Sequence, residues 1–415
     1  MVSLNSHYRN LDAGYLFLEI AKRTRAFQDA HSGVQVYRLG IGNTTEPLTP
    51  HVIEGLKRGV DKLAFVETYK GYGDEQGEDE LRKAIADTYK ERGVVIDPLE
   101  VFVSDGAKCD SANIQSIFAV NGTRVAVQDP AYPVYVDTNV IAGRAGKMIP
   151  NTGKYVGLVY MPCTEENNFI PDFPVDPFDR PIGDLIYLCS PNNPTGAVMD
   201  RKSLEKFVDY ARQNKSVIIF DAAYNWFIKD PELPRSIYEI DGAEECAIEI
   251  NSFSKYAGFT GVRLGWSVVP KDLVTDDGEP GLANKFWNRR QTTMFNGASN
   301  IAQAGGLVAL SPQGREESQK LIDYYMRNAQ IIRSGLEKLG IKVYGGENAP
   351  YVCIKNPNEI KSWDFFDKVL NEAHVVTTPG VGFGPSGEGF TRLSAFGHRE
   401  NITGAVESIV KNLNL

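Results

Sequence analysis

The sequence predicts an α/β protein, a mostly parallel central sheet covered by helices with a smaller α+β unit beside it. Three observations carry this expectation. Between about residue 100 and residue 270, short apolar runs alternate with loops and segments of helical periodicity. Within the runs polar and apolar residues do not alternate, which is the mark of strands buried on both faces. The chain has 415 residues, enough for two or three structural units with a large core.

In order, the runs are VFV ahead of SDGAKCDSANIQSIF, RVAVQ ahead of DPAYPVYVD, DLIYLC ahead of SPNNPTGAVMDRKSLEKFVDYARQ, VIIF ahead of DAAYNWF, and AIEI ahead of NSFSKYAG. Each has strand length, and each is expected to lead through a loop into a helix. In such sheets ligands bind beyond the carboxyl ends of the strands. That rule puts Gly106 to Lys108, Asp129 to Tyr132, Asn192 to Asn193, Asp221 to Tyr224 and Ser252 to Lys255 on one rim, so five loops face one site. Residues 315–340 read as a long amphipathic helix stopped at Gly340. The short segments IKVYGG and YVCIK follow, then a final helix from about Arg399 to Asn412. The first 45 residues hold one helical stretch, LFLEIAKRTRAFQDAH, and the turn-rich GIGNTTEPLTP. The expected division is a large domain over 47–295 and a small domain built from 1–46 and 296–415.

Composition excludes several function classes. Lys and Arg number 44 against 53 Asp and Glu, a formal charge of −9 with both signs dispersed, so a nucleic-acid partner is not expected. No run approaches the ~18 apolar residues of a membrane span. The opening MVSLNSHYRNLDAGYLF has neither the apolar core of a signal peptide nor the Arg/Ser-rich, acid-poor character of a transit peptide, so a cytoplasmic protein without membrane contact is expected. Five cysteines without a CxxC pair read as reduced thiols. Five histidines without HxxxH or HExxH spacing give no expectation of a metal.

The chemistry gathers in NSFSKYAGFTGVRLGW, where Lys255 follows a buried-looking strand, Ser252 and Ser254 precede it, and Arg263 lies eight residues on. A lysine so placed can form a Schiff base, and Ser252 and Arg263 can bind the phosphate of an aldehyde cofactor such as pyridoxal phosphate. Asp221, after VIIF, can keep a pyridine nitrogen protonated, although an Asp after a strand equally serves as a helix cap. Tyr224 and Asn193 can donate hydrogen bonds to a phenolic oxygen, although PNNPTG is also an adequate turn. Tyr132, flanked by Pro130 and Pro133, can stack on a ring or pack in the core. Gly106, Ala107 and Lys108 open a helix whose free N–H groups can cradle a phosphate.

SPNNPTG, DAAY, SFSK with Arg263, and FTRLSAFG with Arg392, in that order, resemble the fold-type I, pyridoxal-phosphate-dependent aminotransferases of class I/II, from about Tyr15 to the C-terminus. The resemblance implies the fold-type I transferase architecture, pyridoxal 5'-phosphate as cofactor and Lys255 as the catalytic residue. It implies a cofactor shell of Tyr72, Ala107, Lys108, Tyr132, Asn193, Asp221, Tyr224, Ser252, Ser254, Lys255 and Arg263. It further implies that Arg392 grips the substrate α-carboxylate bidentately, as only an arginine fork does.

Within the class, GIGNTTEPL, TYKGYGDEQGEDELR, SDGAKCD, FNGASNIAQAGG and TPGVGFGPSGEGFTRLSAFG resemble the LL-diaminopimelate aminotransferases, which make LL-2,6-diaminopimelate from tetrahydrodipicolinate with glutamate as donor in lysine biosynthesis. Such a substrate carries a second amino-acid head, so the distal pocket must meet an ammonium and a carboxylate together. The resemblance implies Glu46 at the distal ammonium, and Tyr15, Lys108 and Asn296 at the distal carboxylate. Gly42 would let the backbone near the ligand, with Tyr132 and Asn193 as further substrate contacts. Glu46 equally reads as a charge at a helix N-terminus. Tyr72 is expected to cross to the partner's cofactor phosphate and substrate, giving a homodimer with shared active sites. The alternative is another class I/II aminotransferase acting on a different amino acid. GIGNTTE and GYGDEQG lack the GxGxxG spacing of a dinucleotide site, and no basic helix-turn-helix segment suggests a regulator.

Overall fold

The computed structural model describes residues 2–11, 16–173 and 182–415. Apolar runs form a seven-stranded sheet from β1 (Val101–Ser104), β2 (Val125–Asp129), β3 (Leu158–Pro162), β4 (Leu185–Cys189), β5 (Val217–Asp221), β6 (Ala247–Ser252) and β7 (Gly265–Val268). The order is β1-β7-β6-β5-β4-β2-β3. Every residue of β4 is buried, and alternate side chains feed two cores: Leu185, Tyr187 and Cys189 on one face, Ile186 and Leu188 on the other. That is why the run reads as continuously apolar.

Strands β2, β4, β5 and β6 run parallel, as expected, and β3, which the sequence reading did not single out, lies parallel beside β2. β7 lies antiparallel to both β1 and β6. The return over residues 253–264 holds a single helical turn, Phe253–Tyr256, and no helix long enough to lie along the sheet as the crossover of a parallel return does. Two expected helices are correspondingly reduced. After β5 the chain makes only the short 3-10 turns Asn225–Phe227, Ile237–Glu239 and Ala243–Glu245, and after β6 only the single helical turn Phe253–Tyr256. Pro231 and Pro234 lie in the β5–β6 connection and cannot continue a helical hydrogen-bond ladder.

The other expected helices form. DPAYPVYVD yields Val134–Ala142, closed by Gly143 at a φ of 93°. The helix after SPNNPTG spans Arg201–Asn214, and the Asp200 side chain caps it by accepting from the Ser203 N–H. The long helix runs Pro312–Glu337 behind a Ser311 cap, and the last runs Arg399–Asn412. These two pack so closely that a β-carbon on Gly335 would collide with Val406 Cγ1. No helix among the described residues is long and apolar enough to cross a membrane.

A second sheet forms from β8 (Val343–Gly345), β9 (Tyr351–Lys355), β10 (Thr378–Pro379) and β11 (Phe390–Ser394), all antiparallel, in the order β10-β11-β9-β8. Tyr37–Arg38 pairs in parallel with Val375–Val376, tying the N-terminal segment to this C-terminal part. Helices Pro50–Asp61 and Asn300–Ala309 approach through glycines: a β-carbon at Gly55 would stand 2.8 Å from Val308 Cγ2, and one at Gly59 2.9 Å from Ile301 Cα.

Candidate active site

The carboxyl ends of the parallel strands open onto a cavity of about 330 Å³, within the range of small-molecule sites. Gly42, Ala107, Lys108, Tyr132, Asn193, Asp221, Tyr224, Ser252, Ser254, Lys255, Arg263 and Arg392 all line it. Residues from all five expected loops, except the segment at Asp129 itself, thus meet in one space.

Lys255 projects from the single helical turn after β6, and its Nζ donates to the Gly42 carbonyl. Burial, then the Arg392 and Arg263 guanidiniums, bring its pKa down to about 7. Near neutrality a large share of the amine therefore holds a free lone pair, the form that attacks a carbonyl. Arg263 sits in left-handed backbone at a φ of 69° and donates to Ser254 Oγ and to the Thr260 carbonyl, both at 3.2 Å. Facing it, Gly106 caps the helix Ala107–Asn113 at a φ of 128°, and a β-carbon there would run into the Arg263 guanidinium. Only glycine leaves that gap open.

Asp221 ends β5. No α-helix follows it, so it is not the helix cap its position suggested. Its Oδ1 accepts from the Ala223 N–H at 3.0 Å and its Oδ2 from the Tyr135 hydroxyl at 2.6 Å. Burial pushes its pKa up, and these two donors draw it back. The Tyr224 hydroxyl lies 2.7 Å from that of Tyr351. Tyr132 stands edge-on to Tyr135, with centroids 6.1 Å apart, and the exposed Lys108 carries its Nζ 5.8 Å from the Tyr132 centroid.

Arg392, on β11, is 1% exposed. It donates to Asn193 Oδ1 at 2.8 Å, to the Gly40 carbonyl at 2.7 Å and to Thr378 Oγ1 at 3.3 Å. Its guanidinium lies between the rings of Tyr351 and Phe383, 4.6 and 4.8 Å from their centroids. Among the described residues Nε has no partner, and the three acceptors of the guanidinium are uncharged. A buried guanidinium without a carboxylate is costly, and its position on the cavity wall marks a seat for an anion.

Three expected residues, Glu46, Tyr72 and Asn296, stand elsewhere, and a fourth, Tyr15, lies outside the described residues. Glu46 does not line the cavity; its Oε1 is 3.0 Å from His398 Nδ1, and its N–H donates to the Tyr325 hydroxyl at 2.9 Å. Tyr72 is 88% exposed, and Asn296 is exposed too. These last two share a surface, because Asn300 Nδ2 donates to the Gly71 carbonyl at 3.2 Å and Gly297 packs against Asp74 and Glu75. Phe65, Val66, Tyr69 and Met294 are exposed in neighbouring segments. Sequence reasoning missed Tyr135, Tyr351 and Phe383. For Tyr135 a signal was present, since it lies three residues after Tyr132 at the opening of a helix.

Residues 34–409 match the family described as aminotransferase class I and II. The chain belongs to the class I and II aminotransferases. It is similar to the L,L-diaminopimelate aminotransferase from Chlamydomonas reinhardtii, at 49% identity over 98% of both chains with a TM-score of 0.91. Substrate-bound BacF from Bacillus subtilis is 29% identical, over 99% of this chain and 98% of that one, with a TM-score of 0.83. The aromatic aminotransferase from Pyrococcus horikoshii OT3 is 28% identical, over 94% and 98%, with a TM-score of 0.77.

Aminotransferases of this class depend on pyridoxal phosphate, and this cavity fits it. The gap between Gly106 and Arg263 suits a phosphate, the lowered Lys255 amine suits an aldehyde, and the Asp221 carboxylate, held by neutral donors alone, suits a protonated ring nitrogen.

Proposed function

We propose that this chain is an LL-diaminopimelate aminotransferase. It transfers the amino group of L-glutamate to tetrahydrodipicolinate, giving LL-2,6-diaminopimelate and 2-oxoglutarate, a step of lysine biosynthesis. The observation that carries an amino-acid substrate is Arg392, a buried guanidinium without an acidic partner across the cavity from Lys255. The likeness to the Chlamydomonas enzyme over nearly the whole chain supports the particular substrate.

When bound, pyridoxal phosphate supplies an electron sink that acidifies the substrate Cα–H. The protein's part is to bind, orient and move protons. Ala107, Ser252, Ser254 and Arg263 would hold the phosphate, Asn193 and Tyr224 would donate to the phenolic oxygen, Tyr132 would pack on the ring, and Asp221 would serve the ring nitrogen. Arg392 would take the α-carboxylate on its fork and turn the Cα–H toward Lys255, whose Nζ would remove that proton from the donor and, in the separate half-reaction with the acceptor, deliver a proton to the new Cα. Lys108, on the rim, meets the distal carboxylate.

In this reading the enzyme is a homodimer in which Tyr72 and Asn296 complete the neighbour's site, and the exposed apolar residues near them are the contact. For Glu46 to meet a distal ammonium, its carboxylate must leave His398. Residues 47–295 carry the cofactor, and 1–46 with 296–415 close over the substrate. Five free thiols suit a reducing, cytoplasmic compartment. The test is single-turnover conversion of the cofactor-loaded enzyme, followed by absorbance, with glutamate, LL-diaminopimelate, aspartate, phenylalanine and alanine. Glutamate and LL-diaminopimelate should react fastest; faster conversion by an aromatic or a short aliphatic amino acid would select another aminotransferase of the class.

A further inference from the structure

We propose that Tyr135 is a positioning residue for the amino-transfer reaction, acting through Asp221 by holding its carboxylate square to the cavity. The proposal rests on the reading of Asp221 as the ring-nitrogen partner. Tyr135 lies on the helix Val134–Ala142, is 2% exposed, and donates its phenolic hydrogen to Asp221 Oδ2 at 2.6 Å, the short distance of a charge-assisted bond.

The hydroxyl is fixed by its surroundings. The Tyr135 ring stacks on Tyr187 on β4, with centroids 5.3 Å apart and planes inclined by 23°. Asn139, one helical turn on, donates to the Tyr135 carbonyl at 2.8 Å and to the Tyr187 hydroxyl at 3.3 Å. A phenol locked in this way aims one donor at one carboxylate oxygen, while the Ala223 N–H takes the other. Each carboxylate oxygen of Asp221 is thus anchored by one protein donor while the residue lines the cavity. Burial disfavours the charged form of Asp221, and the Tyr135 hydroxyl opposes that effect. The other titratable neighbour, Cys189, is buried and its thiol is pushed up, so it stays neutral and adds no charge.

Spacing gives the device economy. Tyr132 precedes the helix and Tyr135 is in its first turn, so one segment, DPAYPVY, offers a ring to the cofactor's face and a hydroxyl to the residue at its nitrogen. An error in the pitch of this helix would disturb both contacts together.

The test uses the full chain, stripped and reloaded, with Tyr135→Phe, Asp221→Asn and the double variant. Tyr135→Phe keeps the stacked ring and loses the donor. Pyridoxal phosphate should bind it roughly tenfold more weakly, the scale of a hydrogen bond to a charged group. Inorganic phosphate, which has no ring nitrogen, should bind within about twofold of the parent. In the Asp221→Asn background the same substitution should have almost no further effect, because the charge it serves is gone. Equal losses for both ligands, additive losses in the double variant, or unchanged cofactor affinity would each overturn the proposal. If Tyr135→Phe does not fold, Tyr135→His against Tyr135→Leu takes its place, and the ring that keeps a donor must retain the cofactor better. Failure of the parent chain itself to bind pyridoxal phosphate would instead overturn the reading of the site.

Discussion

A desolvated pocket, and then two guanidiniums, withhold the proton of Lys255. Its pKa of about 7, against an ordinary 10.5, sets a pH signature. Below pH 7 the protonated amine has no lone pair, so the rate at which the stripped protein takes up pyridoxal phosphate should rise about tenfold per pH unit and level off above 7. Stopped-flow absorbance would measure it; a rate still climbing at pH 9 would mean the amine is unshifted. Lys255 itself was legible from its place after AIEI and its spacing to Arg263. Tyr351 was not, because its meeting with Tyr224 joins residues 127 apart in sequence, and nothing in YVCIK beyond strand character announces it. The Glu46–His398 contact was hidden for the same reason, at a separation of 352.

At the scale of elements, the five runs read as strands, β1, β2, β4, β5 and β6, are buried at every residue. β3 escaped because it is an edge strand with two half-buried side chains and an exposed Pro162. β7 was not read as a strand at all, and periodicity carries no strand direction that would have shown its reversal. Packing between helices, by contrast, yields a signed expectation. Gly335→Ala would ordinarily gain about 1 kcal/mol of helix propensity. Here Val406, β-branched and stiff, occupies the space, and overpacking costs about 1–3 kcal/mol. The net change should be a loss of stability by urea unfolding, partly relieved when Val406→Ala is added. A stabilised Gly335→Ala would mean the long and final helices can part freely.

For the whole molecule, the homodimer proposed above gives Tyr72 and Asn296, two expected site residues on an exposed face, a neighbour's site to complete. Mixing inactive Lys255→Ala chains with inactive Tyr72→Phe chains should restore activity up to about a quarter of wild type per chain pair, since one hybrid site holds both intact residues. No recovery, with subunit exchange verified, would confine each site to one chain. Arg392 adds a consequence of another kind. The folded chain carries half of an ion pair and waits for the solution to furnish the rest, so its stability is tied to what is dissolved around it. By mass action any small carboxylate that enters at ten times its dissociation constant adds about 1.4 kcal/mol to the folded state. Acetate or citrate in a buffer is then not an inert background. It is at once a competitor of the substrate and a preservative of the protein, and a melting curve recorded in such a buffer describes the occupied molecule.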